Sequence, residues 1–298
     1  MEIALGLPQI GAHATREHVI EVAQAAEEGG FDALSVADHV VMPREYVSTH
    51  PDRPGGVLPA RYRPDRNLLE PLTLLAFAAS VTSRIRLGTA VLVLPMRHPV
   101  LHAKILASLA RLAGPGRVYL AAGVGWAREE FEVLSAPWPR RGARVEEQVA
   151  LMRALWSGEP VDHHGEFYEV DGWTSRPAPP APIPVWLGGA SDASFRRAGR
   201  IADGWFAGIY RLPTYREDAA AVRRAAEEAG RDPAELTFGL GGMPRLAAGQ
   251  EEECARAALE ASKLGVQHGR IGVDARPGEA AELIAAFAAG YLDDLHAA

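Results

Sequence analysis

The sequence predicts an α/β fold: a single (β/α)8 barrel of the TIM type with insertion loops, one domain over residues 1–298. Three observations carry that reading. Strand-like and helix-like segments alternate about eight times along the chain, the strand-like segments are short apolar runs without strict alternation, and the helix-like segments are apolar on one face only. Uninterrupted apolar runs suit parallel strands buried on both faces, and eight βα units are what closure into a barrel requires. A doubly wound open sheet is the competing architecture, because the count of units does not by itself prove closure. The glycine-rich dinucleotide fingerprint of that alternative is missing after the first strand.

The first unit joins a strand at 3–7 to a helix at 15–28. Thr15 is placed to cap that helix, Val19, Val22, Ala23 and Ala26 recur at helical spacing, and Gly29 with Gly30 ends it. Next come a strand at 33–36 and, after a long loop, a helix at 71–82; then 85–91 with 100–112, and 118–122 with 143–156. The second half pairs 184–187 with 193–201, 204–207 with 214–229, 237–240 with 251–264, and 270–273 with 278–288. Two segments break the rhythm. Residues 40–67, with Pro43, Pro51, Pro54, Gly55, Gly56, Pro59 and Pro64, read as a long irregular loop. Residues 158–184, with Pro177, Pro179, Pro180 and Pro182, read as extended chain ahead of strand five.

Composition narrows the function classes. With 48% hydrophobic and 23% charged residues the chain has the balance of a soluble globular protein. A net charge of −7 gives no reason to expect nucleic acid. The one cysteine, Cys254, cannot form an intramolecular disulfide and lacks CxxC spacing, so it reads as structural. Met1 runs straight into a strand with no basic and apolar leader pattern, so a cytoplasmic location is expected. The sequence has no run of about 18 apolar residues, so no membrane span is expected. His163 and His164 beside Asp162 lack metal-ligand spacing, no metal is expected, and neither a Gly-x-Ser-x-Gly elbow nor a Walker loop occurs.

In a barrel, chemistry belongs where strands hand over to the following loops. That rule selects Pro8 and Gln9, Asp38 and His39, residues 92–98, residues 123–128, and Gly188 to Ser191. His39 is the leading catalytic candidate, since an imidazole exchanges protons near neutral pH. Asp38 could orient that ring or brace the loop. Gly188-Gly189-Ala190-Ser191 lies between a strand and a helix, where N–H groups and the helix dipole favour a phosphate; the same residues also serve a plain turn with Ser191 as an N-cap. Gly123-Val124-Gly125 precedes Trp126, an aromatic able either to line a planar ligand or to pack in the core.

Taken together, these residues resemble the luciferase-like monooxygenase superfamily, and within it the coenzyme F420-dependent oxidoreductases. The resemblance rests on residues 25–32 leading to Asp38-His39, on 87–91 through Arg97-His98-Pro99, on Gly123-Val124-Gly125-Trp126 with Glu130-Phe131, on 140–156, on 184–189 and on 202–205. It implies an isoalloxazine-like ring at the barrel rim, and usually a homodimer. It further implies a non-proline cis bond between Ala90 and Val91 that backs the ring, His39 beside the ring, and Gly188, Gly189 and Ser191 at the cofactor phosphate. One departure stands out: relatives that oxidise sugar phosphates carry a glutamate proton donor where Trp126 stands here, which argues against that substrate. Glu129 and Glu130 fall at a helix start, where they are expected to serve the helix dipole. The expected activity is hydride transfer between F420 and a small organic substrate, with a separate cofactor reductase as a possible partner. An FMN-dependent monooxygenase and a catalytically silent cofactor-binding paralogue are the alternatives.

Overall fold

The computed structural model describes residues 1–50, 56 and 62–298. The loop prolines Pro51, Pro54 and Pro59, with Gly55, lie outside the described residues. Parallel strands β1 (Glu2–Gly6), β2 (Ala33–Val36), β3 (Arg86–Thr89), β4 (Leu92–Val93), β5 (Val118–Gly123), β8 (Val185–Gly188), β9 (Gly204–Gly208), β10 (Thr237–Ala247) and β11 (His268–Asp274) form one sheet. The remaining two strands, β6 (Val161–His164) and β7 (Glu169–Trp173), form a separate antiparallel pair. The nine-stranded sheet closes on itself, because β3 also pairs with β5 through Leu87 opposite Val118 and Gly88 opposite Tyr119. With β4 continuing the course of β3, eight positions surround the barrel, and the open-sheet alternative is excluded.

Strand three departs from its sequence prediction. Instead of one run over 85–91, it stops at Thr89 and resumes as β4, with the cis Ala90–Val91 peptide between the two pieces. Side chains bridge the interruption: Thr89 Oγ1 donates to Ala121 O at 2.7 Å, and Asp38 Oδ2 accepts the Val93 N–H at 2.8 Å.

Small residues on some strands make room for rings from others in the barrel lumen. Tyr119 lies where Gly88 has no Cβ, and Phe206 fills the space beside Gly239 and Gly241. Tyr119 and Trp186 have ring centroids 4.7 Å apart, and His268 sits 4.9 Å from Trp186, so the lumen is a packed core rather than a pore. Outside it, helices α1 (Arg16–Glu28), α2 (Pro71–Ser80), α3 (Pro99–Ala113), α4 (Arg128–Val133), α5 (Arg141–Leu155), α6 (Asp192–Ile201), α7 (Tyr215–Glu228), α8 (Glu251–Lys263), α9 (Ala280–Phe287) and α10 (Asp293–Ala297) complete the fold. Thr15 caps α1 by accepting from the His18 N–H, and the predicted face of Val19, Val22, Ala23 and Ala26 is buried. Among the described residues no helix is long and apolar enough to cross a membrane.

The insertion at 158–184 holds more structure than extended chain. It contains the β6–β7 hairpin, which α5 clamps: Glu147 accepts the N–H groups of Phe167 at 2.9 Å and Tyr168 at 2.7 Å, with His163 Nε2 at 3.2 Å. The stretch Val161-Asp-His-His offers no apolar alternation from which a strand could be read.

Candidate active site

The rim at the C-terminal ends of the strands is braced before it is functional. Gln9 is buried after β1; its Nε2 donates to Ala37 O (2.7 Å) and Leu69 O (2.8 Å), and its Oε1 accepts the Ala37 N–H (2.8 Å). Gln9 therefore ties the β1 loop to the β2 loop. Asp38 settles its two readings in favour of the brace: it accepts from both terminal nitrogens of Arg97 at 2.6 and 2.8 Å as well as from Val93. Paired guanidinium–carboxylate bonds of this kind fix orientation strongly.

His39 is oriented by a residue that sequence reasoning gave another role. Its Nδ1 donates to Glu130 Oε2 at 2.6 Å, with both side chains buried. The second Glu130 oxygen accepts the Val40 N–H at 2.7 Å. A carboxylate only accepts, so this contact places the neutral-ring proton on Nδ1 and leaves Nε2 for proton exchange. Glu130 is thus not a helix-dipole residue: α4 points it inward, and only Glu129 remains near solvent, accepting the N–H groups of Val47 (2.6 Å) and Ser48 (2.8 Å). Both glutamates fasten the loop after β2 to the start of α4.

An aromatic wall surrounds the imidazole. Tyr62 lies 4.5 Å from His39 and Trp126 lies 5.6 Å away, while Tyr46 and His50 stand 5.4 and 5.1 Å from Trp126. Burial, together with the negative charges of Glu130 and Glu129, pushes the Tyr46 phenol up from its ordinary value, so it stays protonated. Tyr46 and Tyr62 were not singled out from sequence, because an aromatic inside a long irregular loop carries no positional signal.

The other predicted residues gather on the β3, β5 and β8 side. Val91 is the centre of that group: a Cβ on Gly123 would lie 2.9 Å from its Cγ2, and one on Gly188 would lie 3.5 Å from its Cγ1. Ala90 and Val91 also pack on the lumen cluster containing Trp186 and Phe206. Gly125, at φ 79°, backs onto Val93 and the Phe131 ring, so it shapes the turn from behind. At the start of α6, Ser191 is an N-cap in a capping box with Ser194, whose Oγ accepts the Ser191 N–H at 2.8 Å. Gly189, at φ 137°, lies so close to Ser194 that any Cβ would collide with it. Ala190 joins these two within the turn. Asp192 stands exposed in the same first turn of α6. The structure therefore produces two groups on one rim: His39 with Trp126, and Ala90, Val91, Gly123 and Gly188 with the turn through Ser191.

Enzymes built as (β/α)8 barrels carry their catalytic residues at this rim, and the molecule is a barrel of that class. It belongs to the luciferase-like monooxygenase family, which it matches over residues 4–295. A protein of Mycobacterium tuberculosis (strain H37Rv) is 37% identical over 212 residues, 71% of this chain and 72% of that one. The F420-dependent glucose-6-phosphate dehydrogenase of Nakamurella multipartita is 36% identical over 222 residues, 72% of this chain but 60% of that enzyme's length. Among solved structures, an F420-dependent secondary alcohol dehydrogenase in complex with an F420–acetone adduct superposes with a TM-score of 0.78. The two share 19% identity over 96% of this chain and 98% of that one, a likeness of fold.

Proposed function

We propose that the protein is an F420-dependent oxidoreductase transferring hydride between the deazaflavin and a small organic substrate. The observation that carries this reading is the shelf at β3, β5 and β8. Gly123 lacks the side chain that would crowd Val91 and Gly188 places none beside it, so backbone and a flat apolar surface face the rim where a planar ring has to rest. The N-terminus of α6 lies at the end of the same β8 strand; Ser191 Oγ takes the Ser194 N–H, and the other first-turn N–H groups have no helical acceptors. These residues fit a ring with a phosphate-bearing tail, and a relative whose name declares F420 dependence shares 36% of the aligned positions.

In this reading Ala90 and Val91 support the ring, Gly123, Gly125 and Trp126 border it, and the turn Gly188-Gly189-Ala190-Ser191 holds the phosphate, with Ser191 fixing the turn's shape because its own N–H is taken by Ser194 Oγ. When bound, the deazaflavin supplies hydride chemistry at its C5 position. His39 handles the proton that accompanies hydride movement at Nε2, and Glu130 holds the imidazole in the tautomer that leaves Nε2 available. Trp126 excludes water from the imidazole and does not itself transfer protons. Assembly as a homodimer, reduction of the cofactor by a separate reductase and a cytoplasmic location complete the proposal.

Titration of the apo-protein with F420 and with FMN, followed by tryptophan fluorescence, tests it. F420 binding at least tenfold tighter than FMN, about 1.4 kcal/mol, is expected. A tenfold preference for FMN would transfer the protein to the monooxygenase reading. F420 binding without turnover across alcohols, aldehydes and hydroxy acids would make it the silent paralogue.

A further inference from the structure

On the opposite side of the rim, the ends of β1, β2, β10 and β11 enclose a cavity of about 340 Å³. Leu7, Pro8, Gln9, Ile10 and Ala37 form its less polar and braced part, and Tyr62 links it to the His39 site, since that ring both lines the cavity and lies 4.5 Å from the imidazole. Its charged lining among the described residues is Arg66, Arg245 and Arg270 against Asp274. In a chain of net charge −7, three guanidinium groups and one carboxylate around one cavity reverse the local sign.

Two of these arginines are positioned by the fold. Arg270 Nε donates to Ser35 Oγ at 2.8 Å, and its terminal nitrogen would lie 2.6 Å from a Cβ on Gly6, so the glycine makes the room it occupies. Arg245 lies over Gly272 within 3.2–3.5 Å of the Cβ that residue lacks, donates to Val273 O, and pairs with Asp274 at 3.7 Å. A side chain at Gly6 or Gly272 would push the guanidinium above it from its place. Planar guanidinium forks held in this way match the paired oxygens of a carboxylate or phosphate.

We infer that this cavity is the substrate's binding site and that the substrate carries an oxyanion, a phosphate monoester or a dicarboxylate, which Arg66, Arg245 and Arg270 hold while its remainder reaches past Tyr62 toward His39. The inference rests on the oxidoreductase reading for the word substrate; the oxyanion site itself stands on the cavity and its arginines.

Inorganic phosphate and succinate, titrated calorimetrically at constant ionic strength into the F420-loaded protein and its Arg245→Gln, Arg66→Gln and Arg270→Gln variants, test it. Arg245 and Arg66 are exposed, so their variants retain the fold even if Arg270→Gln does not, which circular dichroism will show. The parent is expected to bind at least one probe, whichever head group the site takes, and Arg245→Gln to weaken it about tenfold while the F420 dissociation constant stays within twofold. Absence of binding to the parent, or equal affinity in all variants, overturns the inference. A parallel loss of F420 affinity also overturns it, by showing that the arginines hold the cofactor's own phosphate. Phosphate or succinate binding in a protein that does not bind F420 leaves the oxyanion site standing and removes the F420-dependent reading.

Discussion

His39 Nδ1 and Glu130 Oε2 lie 2.6 Å apart across 91 residues of sequence, joining the loop after β2 to the helix after β5. The pair joins a loop residue and a helix residue into one buried hydrogen-bonded unit, and it orders the expected effects of substitution.

Replacing His39 with Asn keeps a hydrogen-bonding side chain but removes the titratable proton. Turnover is expected to fall roughly 100-fold or more with cofactor affinity nearly unchanged. Steady-state kinetics beside a cofactor titration will check this. Loss of affinity with turnover preserved at saturating cofactor would assign His39 to holding the ring, and no change in either would remove it from the site.

Glu130→Gln retains shape but replaces the acceptor-only carboxylate with an amide that can present N–H to Nδ1 and favour the other tautomer. The expected result is a fall in kcat of about tenfold or more, with KM little changed and the alkaline or acid limb of the pH–rate profile displaced. Glu130→Asp is expected to recover part of the rate. A profile identical to the parent's would show that Glu130 only fastens the loop through Val40.

Gly188→Ala tests the shelf. Its Cβ would press on Phe206 O at 3.2 Å and stand in ordinary contact with Val91 Cγ1 at 3.5 Å, so it adds a methyl group to the shelf without breaking the barrel. Cofactor affinity is expected to fall about tenfold with the thermal midpoint lowered by no more than a few degrees. Gly189 is a poorer probe, because any Cβ there collides with Ser194 and would report on the turn's folding.

His102, wholly buried on α3, gives a pH prediction. Burial first, and then the charges of Arg97 and His98, lower its imidazole from 6.5 to about 3. The folded state therefore binds this proton less readily than the unfolded chain. The associated stability is complete above pH 6.5 and is lost as pH falls from 6.5 toward 3, at up to about 1.4 kcal/mol per unit. Denaturant unfolding between pH 7 and 4 is expected to show that slope, and His102→Leu to flatten it. Equal slopes in both proteins would sink the assignment.

The barrel was legible because its strands are continuous apolar runs and its helices are amphipathic, both local patterns. Thr15, Val19, Val22 and Ala26 illustrate this: cap and buried face follow from spacing alone. The cis Ala90–Val91 bond came from the family resemblance, since nothing in the dipeptide's chemistry announces it. Glu130 was misread for a physical reason: at a helix start the dipole is a sufficient local explanation, and its true partner comes from a distant loop. Arg270 read as the first residue of an apolar strand, and only the register of β11 against β1 turns it toward Gly6 and Ser35. Long-range partners of this kind have no signature in a single sequence.

The capping box at the start of α6 bears on how a ligand anion would be recognised. Ser191 N–H already donates to Ser194 Oγ, and Gly189 O already accepts from Trp205 Nε1 at 3.1 Å. The turn is consequently held in one shape by its own chain before any ligand arrives, so the entropy of ordering it is lost during folding and not during association. An incoming phosphate meets a finished template, and discrimination there falls to fit and charge, with little contribution from loop closure.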